Sequence, residues 1–207
     1  MIRKNLFVLS ARNGLLIPFI LILHLFTPGV ILADNRALEN DLYFFSEQLE
    51  QQPQNPDLNY NMAQIYFLMG NIDEAIRFLE RTLFLSPDDV EASIKLSSIY
   101  RKIGRLWDSR HILENAAKLQ QNNPDIWYEL GVVLSDLAAY PESLEAFKKA
   151  LQYSRNEEQK NLVLYYLGIQ YLTSRDYDHF QSCLQRLPES SQYYKELKKL
   201  GQFWIKE

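Results

Sequence analysis

Apolar residues recur every three or four positions along most of the chain, which is the spacing of one face of an α-helix. One such stripe, over residues 37–51, contains Leu38, Leu42, Phe45 and Leu49. A stripe near the C-terminus contains Tyr193 or Tyr194, Leu197, Leu200 and Trp204. The pattern predicts an all-α chain, with ten helices and no strands over residues 36–206.

The N-terminal segment, residues 1–33, has a different pattern. Residues 1–14 carry basic and no acidic side chains, and residues 15–26 are almost wholly apolar. Together with a break at Pro28-Gly29, this predicts a secretory signal peptide, residues 1–33, that ends at Ala33. The alternative is an uncleaved membrane anchor, because residues 15–32 just reach transmembrane length. In both interpretations the rest of the chain is exported. A cleaved chain is expected to be periplasmic or secreted, and an uncleaved chain is expected to be anchored to the inner membrane.

A fixed spacing relates similar side chains in the rest of the chain. Tyr66 recurs as Tyr100, and Gly70 recurs as Gly104. The repeat divides the chain into three gapless units and, after a three-residue insertion, a divergent fourth; they span 56–89, 90–123, 124–157 and 161–187. A period of about 34 residues with two helices per unit indicates a solenoid of stacked helix pairs.

These units resemble the tetratricopeptide repeat (TPR) family. The first unit carries Met62-Ala63, Tyr66, Ala75, Leu79, Thr82 and Pro87 at the family's characteristic positions, and the third carries Trp127 and Leu130-Gly131. The fourth unit departs from the pattern at Phe180, where a small residue is expected. The resemblance covers residues 56–187 and implies a TPR-type α-solenoid of antiparallel helix pairs, wound as a right-handed superhelix. Because a solenoid needs covered ends, residues 34–55 and 188–207 are expected to be capping helices.

Small residues at two positions of each unit predict close contact between its helices. The pairs are Ala63 with Ala75, Ser97 with Ser109, and Gly131 with Ser143. Gly70 and Gly104 are expected to end the first helices of their units as C-terminal glycines.

Charge narrows the range of partners. The 207 residues contain 22 Lys plus Arg and 26 Asp plus Glu, a net charge of -4. Removing residues 1–33, which hold three basic and no acidic residues, leaves 19 against 26, a net of -7. An acidic chain is a poor candidate for binding nucleic acid, whose affinity depends on clustered Lys and Arg. The membrane is expected to be a partner only through residues 15–32, if they stay uncleaved.

The chain offers little catalytic chemistry. His179 and Cys183 share one helix face at a four-residue spacing, and such a pair could form a nucleophile with its base or half of a metal site. No third ligand or orienting carboxylate is specified near them. We therefore interpret Cys183 as a buried structural cysteine beside a surface histidine, and we expect no enzyme activity, metal or cofactor; the thiol or metal site remains the alternative hypothesis.

One stripe of each unit's first helix is a candidate binding surface. The second, fifth, ninth, twelfth and thirteenth positions of the unit lie opposite the packing side, yet half of these twenty residues are apolar or aromatic. The resemblance implies that this stripe lines a concave groove that holds a partner's peptide or helix. The candidate residues are Tyr60, Gln64, Phe67, Ile94, Lys95, Ser98, Arg101, Tyr128, Glu129, Val132 and Tyr165.

Two alternatives to a fully open groove follow from the same stripe. Neighbouring repeats could bury its middle part, and the last helix could fold over the fourth unit at Leu162, Tyr165 and Ile169. A partner held by its C-terminal carboxylate is not expected, because Tyr60 and Gln64 stand where some relatives carry a basic clamp. The sequence therefore predicts a non-enzymatic scaffold that binds another protein, in the assembly of an envelope or secretory complex.

Overall fold

The computed structural model describes residues 28–204, with side chains from residue 36 onwards. Within this range the chain forms ten α-helices and no strand, which confirms the all-α prediction. The helices are α1 (Pro28–Gln51), α2 (Pro56–Leu68), α3 (Ile72–Leu85), α4 (Val90–Lys102), α5 (Leu106–Leu119), α6 (Pro124–Asp136), α7 (Tyr140–Tyr153), α8 (Glu157–Thr173), α9 (Tyr177–Arg186) and α10 (Gln192–Trp204). Each helix from α1 to α9 packs mainly on its neighbours in sequence, and α10 packs on α8 and α9. This is the contact pattern of a solenoid.

Repeated capping residues set where the first helix of each unit begins. Asn55, Asp89 and Asn123 recur with the period of the repeat and immediately precede α2, α4 and α6. The side chain of each accepts hydrogen bonds from backbone N–H groups in the first helical turn. These groups have no partner within the helix, so the caps stabilise each start. Asn156 caps α8 in the same way.

The turn between the two helices of a unit needs one residue in the left-handed conformation. Gly70 and Gly104 have φ angles of +79° and +80°, which confirms them as C-terminal glycines. The equivalent residues of the third and fourth units are Ala138 and Arg175, at φ 56° and 60°. The chain therefore makes the same turn four times, twice with a side chain that disfavours it.

The predicted close contact between the helices of a unit is confirmed, and hydrogen bonds reinforce it. The Ser109 hydroxyl donates to the Ser97 carbonyl oxygen at 3.0 Å, and one repeat later the Ser143 hydroxyl donates to the Gly131 carbonyl oxygen at 2.8 Å. Both serines at the donating position are fully buried. A methyl group at Gly131 would lie 2.7 Å from the Phe147 ring, so glycine is required there.

The N-terminal end of the array differs from its prediction. The stripe over residues 37–51 predicts a helix of that length, but α1 begins nine residues earlier, at Pro28. Proline is well tolerated in the first turn of a helix, and α1 starts at Pro28, where the apolar pattern breaks. Residues 1–27, most of the predicted signal peptide or anchor, lie outside the described range. Between residues 28 and 204 no helix is both long enough and apolar enough to cross a membrane.

The C-terminal end is closed by α10. Leu197 is fully buried, and its side chain fills the space where Gly168 of α8 lacks a Cβ. Gly201 of α10 in turn leaves room for the Phe180 ring of α9. Phe180 stands where the repeat pattern expects a small residue. The small residue that makes room for its ring is Gly201 of α10.

Candidate functional site

The predicted groove residues of the first two units form a half-open surface. We call it the α2–α4 surface; its residues are Tyr60, Gln64, Phe67, Leu68, Ile94, Lys95, Ser98, Arg101 and Lys102. Most of these side chains are half-buried between the two helices, whereas Arg101 and Lys102 are exposed and Leu68 is 66% exposed. Leu68, which lies at the end of α2, is therefore an apolar side chain left largely in water.

Phe67 is the centre of this surface. The ammonium nitrogens of Lys95 and Lys102, both on α4, lie 4.9 Å and 5.0 Å from the centroid of its ring. A cation at this distance from an aromatic ring is attracted by its negative face. The two lysines therefore hold the ring between the first and second units and place two positive charges beside it.

Arg101 has a different environment from the two lysines. Its guanidinium forms an ion pair with Asp136, which lies at the end of α6 in the next unit. Glu129, also on α6, is partly buried, and burial raises its pKa although Arg101 opposes this shift. Arg101 is thus neutralised by an ion pair within the array.

The tyrosines among the predicted groove residues of the third and fourth units are packed against other aromatic rings. We call the set Tyr128, Phe147, Tyr165, Tyr166 and Tyr193 the aromatic cluster. The Tyr128 ring lies 5.3 Å from the Tyr166 ring, edge to face, and 6.1 Å from the Phe147 ring. Burial and the neighbouring Tyr166 hydroxyl raise the pKa of Tyr128 above its ordinary value. Val132, one turn along α6, is 6% exposed and belongs to the same core.

The cluster continues to the C-terminal helix. The Tyr165 ring lies 5.4 Å from Tyr166 and 5.6 Å from Tyr193 of α10. Burial and the nearby Glu196 carboxylate raise the pKa of Tyr165 to about 12. The last helix therefore packs against the fourth unit at Tyr165, as the second of the two alternatives to a fully open groove anticipates.

Sequence reasoning missed Tyr166, which lies at the sixth position of its unit and so outside the groove stripe. The same position holds Lys95 in the second unit and Glu129 in the third. Both of those residues are groove candidates, so the equivalence of these three positions is the signal that could have identified Tyr166.

A second concave feature lies between α5, α6 and α7. It is a cleft of about 680 Å³ with Trp127, Leu130 and Leu134 among its lining residues. The Lys149 ammonium covers the Trp127 ring at 3.9 Å, and the Trp127 indole donates a hydrogen bond to the Gln121 carbonyl oxygen. Acidic and basic side chains both line the cleft, so its charge selects no class of ligand.

His179 and Cys183 have the structural roles expected of them. Cys183 is buried, and burial raises the pKa of its thiol to about 11, so it is a poor nucleophile at neutral pH. His179 is exposed; its Nδ1 lies 2.8 Å from Asp176 Oδ2, and its ring stacks on Tyr171. In the part of the chain that the structure describes, no three His, Cys, Asp or Glu side chains are grouped to hold a metal ion.

Comparison with known sequences decides the family. Sequence models described as tetratricopeptide repeat match residues 42–99 and 94–158, which together span more than half of the chain. The chain is a tetratricopeptide repeat protein. Human tetratricopeptide repeat protein 7B is 31% identical to it over 100 residues, which are 48% of this TPR chain and 12% of that protein.

A second human relative carries the name of an enzyme. The protein O-mannosyl-transferase TMTC1 is 24% identical over 181 residues, which are 83% of this chain and 20% of that protein. The chain thus spans a fifth or less of the length of these two curated relatives. TPR proteins are generally non-enzymatic interaction scaffolds, and this chain has that architecture.

Solved structures confirm the solenoid fold. MamA from Desulfovibrio magneticus RS-1 superposes with a TM-score of 0.60 at 16% identity, over 84% of this chain and 91% of that one. YrrB, described as a TPR protein with an unusual peptide-binding site, superposes with a TM-score of 0.62 at 16% identity, over 86% of this chain and 88% of that one. At these identities the likeness shows the fold alone.

Proposed function

We propose that this TPR protein is a non-enzymatic scaffold that binds a peptide or helix of another protein on the α2–α4 surface. One observation carries the proposal: this surface presents Phe67 between two lysines beside the exposed Leu68, whereas Tyr128 and Tyr165, the groove candidates at the fifth position of the third and fourth units, are packed in the aromatic cluster. Rigid aromatic side chains with an apolar neighbour are the usual anchors of protein interfaces.

Two further observations support a scaffold over an enzyme. The only candidate nucleophile and base that the sequence suggests, Cys183 and His179, are explained by core packing and by contact with Asp176. The fold is shared with YrrB, whose description names a peptide-binding site. We extend peptide binding, but not the location of that site, to this chain.

The N-terminal segment supports an exported scaffold, which would act in an envelope or secretory complex. Cleavage after Ala33 would release it into a periplasm or the outside. A membrane-anchored form is the second candidate, and it is favoured by the continuity of α1, which runs from Pro28 past Ala33 to Gln51 without interruption. N-terminal sequencing of the exported protein separates the two: Asp34 at the N-terminus supports cleavage, and an intact Met1 supports the anchor.

The binding surface is tested by a pull-down from the native envelope followed by mass spectrometry. The double variant Tyr60→Ala/Leu68→Ala removes an anchor and an exposed apolar side chain from the α2–α4 surface. We expect it to weaken capture of the specific partner by about tenfold or more, equivalent to about 1.4 kcal/mol.

The matched control is Phe84→Ala/Leu119→Ala. It removes two apolar side chains that are 73% and 57% exposed and lie on second helices of their units, away from the groove stripe. It should retain full capture. If the control loses the partner and the α2–α4 variant retains it, binding takes place on the other side of the array and the proposal is wrong.

A further inference from the structure

The charges of the α2–α4 surface are unevenly compensated. Arg101 is paired with Asp136, but neither Lys95 nor Lys102 forms an ion pair with any residue that the structure describes. Both ammonium groups instead lie about equally far from the Phe67 ring. A ring quadrupole attracts each cation but does not cancel its charge. The surface therefore holds two positive charges that no ion pair among the described residues neutralises.

These two charges lie beside one aromatic ring. Lys95 and Lys102 are seven residues apart on α4, which is two helical turns, and both ammonium groups contact the Phe67 ring. Two like charges on one surface repel one another, and carboxylates that pair with them relieve that repulsion. Lys102 is exposed and Lys95 is half-buried, so an anion can approach from solvent.

Two exposed apolar residues adjoin residues of the positive site in sequence. Leu68 directly follows Phe67 in sequence and is 66% exposed, and Ile103 directly follows Lys102 and is 46% exposed. A ligand that is only an anion would leave both side chains in water. A ligand that carries an apolar side chain next to a carboxylate would cover them as it binds.

We propose that the α2–α4 surface selects an acidic segment within another protein, in which Asp or Glu side chains pair with Lys95 and Lys102 and a neighbouring apolar side chain covers Leu68. This inference rests on the proposed scaffold function and adds the chemistry of the partner. The preference is local, because the chain as a whole carries a net charge of -4 and repels acidic molecules in general.

The test is a selection of random peptides displayed with their C-terminus covalently attached, so that no free terminal carboxylate is present. The target is the full-length chain in a mild detergent. We expect the enriched peptides to contain Asp or Glu next to an apolar residue. The affinity of one enriched peptide is then measured by fluorescence anisotropy, beside the same peptide with its acidic residue replaced by the corresponding amide.

The double variant Lys95→Gln/Lys102→Gln should bind the acidic peptide about tenfold or more weakly, and the loss should shrink at high salt. The amide peptide should bind wild type equally weakly and lose nothing further in the variant. The matched control is Lys195→Gln/Lys199→Gln, which makes the same change in net charge at two exposed lysines of α10. It should bind within about twofold of wild type.

The other outcomes separate this inference from the proposed function. Two outcomes overturn the acidic preference and leave the scaffold function standing. In the first, the enriched peptides contain no acidic residue. In the second, the peptides bind both lysine variants alike but lose affinity for Tyr60→Ala/Leu68→Ala. Peptides that are insensitive to the lysine variant and to Tyr60→Ala/Leu68→Ala overturn both. No enrichment on wild type over the Lys95→Gln/Lys102→Gln protein also overturns the acidic preference.

Discussion

Tyr60 and Tyr128 occupy the same position of the first and third units, yet they have different surroundings. Tyr60 is half-buried on the α2–α4 surface, and Tyr128 packs between Phe147 and Tyr166. The residue at the sixth position of the next unit accounts for the difference. This residue is Lys95 in the unit after Tyr60 and Tyr166 in the unit after Tyr128. A repeat position therefore fixes which way a side chain faces, and the next unit decides whether the space in front of it stays open.

The largest expected difference between the two halves is in stability. Tyr128→Ala should lower the free energy of unfolding by about 2 to 4 kcal/mol, because it removes a ring from a packed cluster and leaves a cavity. Tyr60→Ala should cost less, about 1 to 2 kcal/mol, because this half-buried ring contacts no other aromatic ring among the described residues. Urea denaturation followed by circular dichroism measures both. Equal losses would show that the two surfaces are packed alike, and the comparison would fail.

The sequence predicted the features that depend on periodicity. The helix pairs, the turn glycines Gly70 and Gly104 and the contact between Ser97 and Ser109 recur at a fixed spacing, and the same local physics applies to each copy. The repeat could have marked Tyr166 as a groove candidate, but it could not predict the contacts of the aromatic cluster. The cluster depends on a contact between Tyr128 and Tyr166, two side chains that occupy different repeat positions in neighbouring units.

The ends of the array were also beyond periodic reasoning. The stripe over residues 37–51 covers only part of α1, so it could not indicate a helix start at Pro28. The fit of Leu197 against Gly168 depends on how α10 packs across α8 and α9, and α10 has no equivalent in the repeat. Nothing in the described residues tests whether the eleven groove candidates bind a partner, so that part of the site stays a prediction.

A second difference between the halves is the size of the two side chains that meet where the helices of a unit touch. The first unit pairs Ala63 with Leu79, and the third pairs Gly131 with Phe147 at the same positions. Gly131→Leu should lower the free energy of unfolding by about 1 to 3 kcal/mol, because the fully buried Phe147 ring leaves no room even for a Cβ. The measurement is again urea denaturation.

Two results would sharpen or contradict this interpretation of Gly131. Alanine is a better helix former than glycine, so a purely local view predicts that Gly131→Ala stabilises α6, whereas the contact with Phe147 predicts a loss. Combining Gly131→Ala with Phe147→Leu restores the residue sizes of the first unit and should recover part of that loss. A cost below about half a kcal/mol for Gly131→Leu would show that the two helices do not touch there.

The smallest expected effect concerns the turn that all four units share. Ala138 adopts the conformation that glycine adopts at Gly70 and Gly104, and a Cβ in this region is strained. Ala138→Gly should raise the free energy of unfolding by about 0.5 to 1 kcal/mol. This net gain is the backbone strain that is relieved, reduced by the larger conformational entropy of glycine in the unfolded chain. Gly104→Ala is the reverse experiment. A Cβ at Gly104 would meet no atom within 4 Å, so its cost reports backbone strain alone, and it should lower stability by a similar amount. If Ala138→Gly instead destabilises the protein, the left-handed turn is not a source of strain in the third unit, and the two halves differ in their surfaces but not in their turns.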